Sequence, residues 1–187
     1  MYYKKFFNKN ILWHFAVISC IAFCFGACIF GSFKCKTENP YSGKIKDDYY
    51  YYISNKAEEV GLDPLFPFAI LLAENEHQIP FAVSNLNKNQ TRDLGLFQIN
   101  SKYSDYFAEK YWEEETDFDI MNWQHNSSVA IGYMNDLYKS FDGDIEKAAA
   151  AYNCGSSRVK QNKIPESTKL YVEKVKKNYE TLKNYNS

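Results

Sequence analysis

At residues 93–101 the chain reads DLGLFQINS, a short apolar stretch that contains a glycine and ends in polar residues. Gly95 lets the backbone turn tightly or approach a neighbour closely, because it has no side chain. Gln98 carries an amide that can both donate and accept hydrogen bonds. The preceding residues, 77–93, are polar and irregular, which predicts a loop or a short hairpin that leads into Gly95. We therefore expect a small non-helical region that carries polar binding groups.

Helical patterns lie on both sides of this region. Apolar periodicity and good helix formers predict helices over residues 49–60, 65–74, 126–141, 146–152 and 168–182. Gly61 predicts the C-terminal cap of the first helix, and Pro67 falls in the first turn of the second, where its missing N–H is harmless. The fold class is therefore α+β and mostly α. The globular part, residues 49–187, has ~140 residues and is large enough to fold without disulfides.

The N-terminal segment, residues 1–36, differs from the rest of the chain. Three lysines precede residues 11–33, a run of 23 residues without Asp, Glu, Lys or Arg. As a helix this run would reach ~34 Å, enough to cross a bilayer, and the pattern is also typical of a secretory signal. Cys20 and Cys28 each follow a lipobox-like sequence, so a lipoprotein signal is a further alternative. The remaining alternative for residues 11–33 is a buried core helix. Residues 37–48 are polar and predict a linker.

The charge pattern argues against a nucleic-acid partner. The chain has 22 basic and 23 acidic residues, which are interspersed, and a net charge of −1. Nucleic-acid binding relies instead on clustered positive charge. The three histidines, His14, His77 and His125, are scattered and lack the spacing of metal ligands. We therefore expect neither a metal nor a cofactor.

Glu74 is the candidate catalytic acid. It closes the apolar helical stretch 68–73, just before the irregular polar loop. A carboxyl group that acts as a general acid must still be protonated near neutral pH, and burial beside apolar side chains provides that. The alternative is an exposed glutamate at a helix end, which is the commonest fate of this residue type.

Five segments share an order and spacing that resembles the lytic transglycosylases of the lysozyme superfamily. They are AILLAEN at 69–75, PFAVS at 80–84, DLGLFQINS at 93–101, AAYNCG at 150–155 and IPESTKLYV at 164–172. The resemblance implies a lysozyme-like helical domain over residues 49–187, with a small irregular or β-hairpin region. It also implies that the substrate is the glycan strand of bacterial peptidoglycan.

The resemblance also implies a role for individual residues. It assigns catalysis to Glu74 and contact with the sugar to Ser84, Gln98, Tyr152 and Asn153. Asp93 matches the second catalytic carboxylate of animal-type lysozymes. The alternative is that Asp93 is a turn residue with a structural role. Residues 87–93 also look like the subgroup linked to secretion machinery. Tyr171 matches a family tyrosine, for which we favour a place in the core.

Two departures from the family pattern leave Glu76 as a competitor for the catalytic role. Asn75 replaces the usual serine, and the loop from Glu74 to Ala82 is one residue longer than is typical. To align Glu76 instead, the preceding helix would need two extra residues, which would turn the side chain by ~200° around the axis. An insertion in the loop is easier to accommodate, so we favour Glu74.

The sequence therefore predicts a lytic transglycosylase that cleaves the β-1,4 bond between N-acetylmuramic acid and N-acetylglucosamine and leaves 1,6-anhydro ends. A hydrolytic muramidase, with Asp93 assisting water, is one alternative, and a catalytically inactive wall-binding lipoprotein is another. We expect an extracytoplasmic protein, in the periplasm or cell envelope, that is secreted or held at the membrane by residues 1–36. An envelope-spanning secretion apparatus is a candidate partner.

Overall fold

The computed structural model describes residues 38–112 and 116–185, so the predicted signal or anchor at residues 1–36 lies outside the described residues. Backbone contacts group Asn39–Ser187 into one globular unit. Within the described ranges, no helix combines the length and the apolar character needed to cross a bilayer.

The described residues are mostly helical, which confirms the predicted fold class. The elements are α1 (Asp47–Val60), α2 (Leu65–Glu74), β1 (Asp93–Leu94), β2 (Ile99–Asn100), a 3-10 helix (Ser101–Tyr103), α3 (Ser104–Tyr111), α4 (Trp123–Ser140), α5 (Ile145–Cys154), α6 (Ser156–Lys160) and α7 (Glu166–Lys183). The sequence did not predict the 3-10 helix, α3 or α6, because short helices rich in polar and aromatic residues show little periodicity.

Helix α2 forms the centre of the core, because it is apolar around most of its circumference. Seven of its ten residues are buried, among them Phe66 and the run 68–71. Gly61 ends α1 in a left-handed conformation with φ of 76°, and its N–H bonds the carbonyls of Ala57 and Glu58. Each large apolar side chain that is fully buried stabilises the fold by about 1.5–3 kcal/mol.

Helix α5 can pack closely against α4, α6 and α7 because it is rich in alanine. The four alanines Ala148, Ala149, Ala150 and Ala151 are all buried. The side chain of Asp144 caps the start of the helix by accepting from the N–H of Lys147. This close packing brings the C-terminal end of α5, with Tyr152 and Asn153, to the candidate site.

Residues 39–45, within the predicted linker 37–48, pack on the globular unit. Asn39 is buried, and its side-chain amide donates to the Ile45 carbonyl at 2.8 Å and to Asp47 Oδ1 at 2.9 Å. Ile45 is only 1% exposed. The polar composition that suggested a linker therefore serves hydrogen bonds within the fold.

The small sheet lies between α2 and α3 in the sequence. Strands β1 and β2 are antiparallel, with Asp93 opposite Asn100 and Leu94 opposite Ile99, and Val83 forms an isolated bridge with Leu94. This arrangement agrees with the predicted short hairpin region.

Candidate active site

Glu74 is the last residue of α2 and lies at the edge of the core. Its side chain is half-buried, and the hydroxyl of Tyr171 donates to Glu74 Oε1 at 2.7 Å. Glu76 follows the helix, is exposed, and is not part of the groove described below. The structure therefore places one of the two competing glutamates at a cavity and the other on the surface.

Burial raises the pKa of Glu74 from 4.5 to about 7. The hydrogen bond from Tyr171 and the charge of Lys174 lower this pKa, whereas the negative charge of Asp93 raises it. Burial dominates because a carboxylate loses its hydration in a low-dielectric surrounding. A carboxyl group with this pKa is partly protonated at neutral pH, as a general acid must be.

Helix α7 holds Tyr171, the hydrogen-bond partner of Glu74, in place. Tyr171, Lys174 and Asn178 follow each other at a spacing of three and four residues, so they share one face of the helix. Lys174 Nζ donates to the Ala73 carbonyl at 2.8 Å, and the Asn178 amide donates to the Ala69 carbonyl at 3.2 Å. These two bonds fix α7 against α2 and thereby position the Tyr171 hydroxyl.

Tyr171 packs against the core, as predicted, and in addition contacts the candidate acid. It is half-buried, and its hydroxyl reaches the candidate acid. The sequence carried a signal for this contact, because the spacing of residues 171, 174 and 178 already aligned three polar groups on one helix face. This spacing did not predict which residue the Tyr171 hydroxyl would contact.

A groove of about 710 Å³ runs past Glu74. Its walls come from the hairpin region, from α3 and α4, and from the turn between α5 and α6. The lining includes Glu74, Asn87, Asp93, Gln98, Asn100, Tyr103, Tyr106, Tyr133, Tyr152, Asn153 and Arg158. Amides, phenols and one cation therefore surround two carboxyl groups in an open cleft of the size that binds ligands.

Amide groups hold the carboxylate of Asp93. Asn100 Nδ2 donates to Asp93 Oδ1 at 2.7 Å, and Asn87 Nδ2 donates to Asp93 Oδ2 at 3.2 Å. The same two amides also donate to Thr91 Oγ1. Asp93 thus keeps a fixed orientation.

The turn between β1 and β2 is fixed from beneath by Asn126. This buried side chain accepts from the Phe97 N–H at 2.8 Å and donates to the carbonyls of Leu94 at 3.0 Å and Ile120 at 3.1 Å. Gly95 has φ of 76°, and an added Cβ would lie 2.9 Å from the Ile120 carbonyl oxygen. Only glycine fits there, as the sequence predicted for a close approach. No pattern in the sequence predicted that Asn126 holds this turn.

Gln98 and Tyr152 meet at this turn and line the groove. Gln98 has a positive φ of 51°, and its side-chain amide donates to the Gly95 carbonyl at 2.8 Å. The hydroxyl of Tyr152 donates to the Phe97 carbonyl at 2.9 Å. Burial raises the pKa of Tyr152, and the charge of Glu74 adds to this effect. Tyr152 is therefore a neutral, anchored wall of the site.

The other two predicted site residues differ in their position. Asn153 is exposed, lines the groove, and accepts from Thr168 Oγ1 at 2.7 Å. Ser84 does not line the groove: its hydroxyl accepts from the Asp93 N–H at 2.8 Å and donates to the Asn85 carbonyl at 2.9 Å. The structure thus joins Ser84 to the site only through Asp93.

Within residues 38–112 and 116–185, no cluster of three or more His, Cys, Asp or Glu side chains could hold a metal ion.

The comparisons with known proteins identify a family. The transglycosylase SLT domain model matches residues 51–175. The fold is similar to that of an inactive mutant of the lytic transglycosylase Slt from Pseudomonas aeruginosa, with a TM-score of 0.61, 20% sequence identity, and coverage of 71% of this chain and 23% of that chain. It is also similar to the 70 kDa soluble lytic transglycosylase SLT70 from Escherichia coli, with a TM-score of 0.61, 19% identity, and coverage of 73% of this chain and 24% of that chain.

These similarities concern one part of larger proteins. The chain spans about a quarter of the length of the two solved structures, and at these identities the likeness shows the fold alone. A search of curated proteins gives no match. The family model, however, covers well over half of the 187 residues. The chain therefore belongs to the transglycosylase SLT domain family.

Proposed function

We propose that this chain is a peptidoglycan lytic transglycosylase that cleaves the β-1,4 bond between N-acetylmuramic acid and N-acetylglucosamine. The observation that carries the proposal is the state of Glu74. Its carboxyl group is half-buried at a groove of about 710 Å³, and its pKa is raised to about 7. Membership of the family and the fold of its solved relatives support the same activity.

In the first step, protonated Glu74 gives its proton to the glycosidic oxygen. The bond between the anomeric carbon and this oxygen breaks, the N-acetylglucosamine hydroxyl leaves, and the N-acetylmuramic acid ring becomes an oxocarbenium-like cation. Glu74 is now negative, and the Tyr171 hydroxyl stabilises it through the 2.7 Å hydrogen bond. The negative charge of Asp93, whose carboxyl group is held by Asn87 and Asn100, favours the cation.

In the second step, Glu74 acts as the base. It removes the proton from the 6-hydroxyl of the same sugar, and this oxygen bonds to the anomeric carbon to give the 1,6-anhydro product. Glu74 returns to its protonated form, and no water is consumed. The tethered hydroxyl has a large effective concentration compared with bulk water, which favours this route.

The groove offers matching groups for an amide-rich glycan strand. The amide N–H groups of Asn87 and Gln98 and the amide oxygen of Asn153 already bond within the protein. The amide oxygens of Asn87 and Gln98 and the amide N–H groups of Asn153 can therefore bind N-acetyl and hydroxyl groups. Tyr103 and Tyr106 are 48% and 53% exposed along the same groove. Their rings provide apolar area that can pack against the sugar faces.

The orientation of Asp93 favours a second candidate, a hydrolytic muramidase. A carboxylate held by two amides could assist an attacking water instead of only balancing charge. The two candidates differ in the product. The transglycosylase leaves anhydro ends, whereas the hydrolase leaves reducing ends. A wall-binding protein without activity would leave the glycan strands intact.

Mass spectrometry of digested peptidoglycan tests all three candidates in one measurement. We expect anhydro muropeptides from the natural chain, almost none from Glu74→Gln, and a natural yield from the control Glu76→Gln. Removal of a general acid typically lowers the rate by ~10²–10⁴. Reducing-end muropeptides as the main product would move the protein to the hydrolases, and an inactive Glu76→Gln variant would move the acid to Glu76.

We further propose that the protein acts outside the cytoplasm, where its substrate lies, and that residues 1–36 secrete it or hold it at the membrane. The uncharged run 11–33 supports this location. Fractionation of cells that express the full chain tests it. The protein should be in the membrane or envelope fraction, and a protein found only in the cytosol would contradict the proposal.

A further inference from the structure

Four apolar side chains are exposed within eight residues of the loop that follows α2. Ile79, Phe81, Val83 and Leu86 are 50%, 67%, 50% and 51% exposed, and we call them the apolar strip. None of them lines the groove at Glu74. Single exposed apolar residues are common, but four large ones within one short segment are typical of a contact surface.

The backbone beneath the apolar strip is held by the small sheet. Val83 forms a bridge with Leu94, the Ser84 N–H donates to the Asp93 carbonyl at 2.9 Å, and the Gly95 N–H donates to the Ala82 carbonyl at 2.8 Å. These bonds tie residues 82–84 to the small sheet. In this arrangement the four side chains of the strip remain exposed.

The apolar strip begins where the N-terminal part of the globular unit is attached. Gln78 Nε2 donates to the Lys44 carbonyl at 2.7 Å, and the Lys46 N–H donates to Gln78 Oε1 at 3.0 Å. Lys46 Nζ donates in addition to the Gln78 carbonyl at 2.9 Å. Residues 44–46 and Ile79 are thus joined through one buried glutamine side chain.

This junction lies close in sequence to the apolar run 11–33. Only residues 34–38 separate that run from Asn39, where the globular unit starts. Five residues span at most ~18 Å. If the run 11–33 inserts into a membrane, the start of the globular unit at Asn39 stays within this reach of the bilayer surface, and residues 44–46 connect that start to the first residue of the apolar strip.

We propose that the apolar strip docks on the lipid surface of the membrane that holds residues 11–33. The charges beside it in the sequence fit anionic headgroups, because Lys88 and Arg92 are exposed, while Glu76 is the only acidic residue between positions 76 and 92. Apolar side chains next to basic ones are the combination that binds at a membrane interface. The contact would limit how freely the globular unit turns on its short tether.

The test places a tryptophan in the strip of the full chain, as Phe81→Trp, in vesicles of anionic phospholipid with or without bromine on the acyl chains. The matched control is Lys139→Trp, another exposed position. Lys139 lies 13 residues beyond Asn126 on α4, which is ~20 Å along the helix from the hairpin region. The emission of the natural chain, with its three tryptophans, is subtracted from both.

We expect the added emission of Phe81→Trp to shift to the blue in vesicles and to be quenched by brominated lipid, while that of Lys139→Trp keeps its position and intensity. Equal quenching at both positions, or none at position 81, would overturn the proposal. So would a full chain that does not bind the vesicles. An emission change caused by peptidoglycan fragments or by raised protein concentration, but not by lipid, would assign the strip to the substrate or to a second copy.

The lipid titration contains no peptidoglycan, so its result is independent of the proposed enzymatic function. Circular dichroism shows whether the two variants are folded. A separate digestion with Phe81→Trp should give the natural yield of muropeptides, because position 81 does not line the groove.

Discussion

Replacing Glu74 by Gln should remove activity and at the same time make the folded protein more stable at neutral and alkaline pH. Glutamine has nearly the shape of a protonated glutamic acid, and its carbonyl oxygen can still accept the hydroxyl of Tyr171. It cannot ionise. The variant therefore isolates the free energy that the natural protein loses when a carboxylate forms at this half-buried position.

The magnitude follows from the two pKa values of Glu74. The value is about 7 in the folded protein and close to 4.5 in an exposed chain. Between these values the unfolded chain has lost the proton and the folded chain has kept it, so the free energy of unfolding falls as the pH rises. Each pKa unit corresponds to 1.36 kcal/mol, which gives a loss of up to ~3 kcal/mol that is complete above about pH 7.

The assay is denaturant unfolding of the natural chain and of Glu74→Gln at several pH values between about 4 and 8. A fragment of residues 38–187 keeps the buried Asn39 with both of its partners, so we expect it to be soluble and folded. Glu76→Gln is the control, because it removes an exposed carboxylate two residues away. The control should show neither the pH-dependent gain in stability nor the loss of activity.

The reasoning predicts that the two proteins have similar stability near pH 4 and that the variant gains its advantage between about pH 4.5 and pH 7. A stability difference that does not change with pH would refute it, since Glu74 would then ionise as freely in the folded protein as in the unfolded one. A natural protein that is the more stable of the two at pH 8 would refute it as well.

Three further variants test the surroundings of the acid. Tyr171→Phe removes a hydrogen bond that lowers the pKa of Glu74, so the alkaline limb of the pH–rate profile should move to higher pH. Asp93→Asn removes a charge that raises this pKa, so the limb should move to lower pH, with only a modest loss of rate and with anhydro products. If the alkaline limb moves in the same direction in Tyr171→Phe and in Asp93→Asn, these electrostatic effects on Glu74 are refuted. Asn126→Ala leaves the Phe97 N–H and two carbonyls without their partner, which should cost roughly 2–4 kcal/mol in urea unfolding; an unchanged midpoint would contradict this.

Local patterns in the sequence determined most of the helices. Residues 65–74 were predicted with the observed bounds, because an apolar run after Pro64 and before a polar loop leaves few other conformations. Gly61 and Gly95 were predicted from their lack of a side chain, and both have a positive φ. These features depend on the residue and its neighbours along the chain, so the sequence alone contains them.

The properties of the site were decided by contacts between distant parts of the chain. Tyr171 is 97 residues from Glu74 in sequence, yet its hydroxyl donates to that carboxyl group. Asn126 fixes a turn that lies about 30 residues earlier, through three hydrogen bonds. The pKa of Glu74 depends on burial and on charges brought by other elements. Periodicity shows which face of a helix is apolar, but the dielectric surroundings of a carboxyl group are set only when the helices pack, because desolvation and Coulomb energies depend on distances in space.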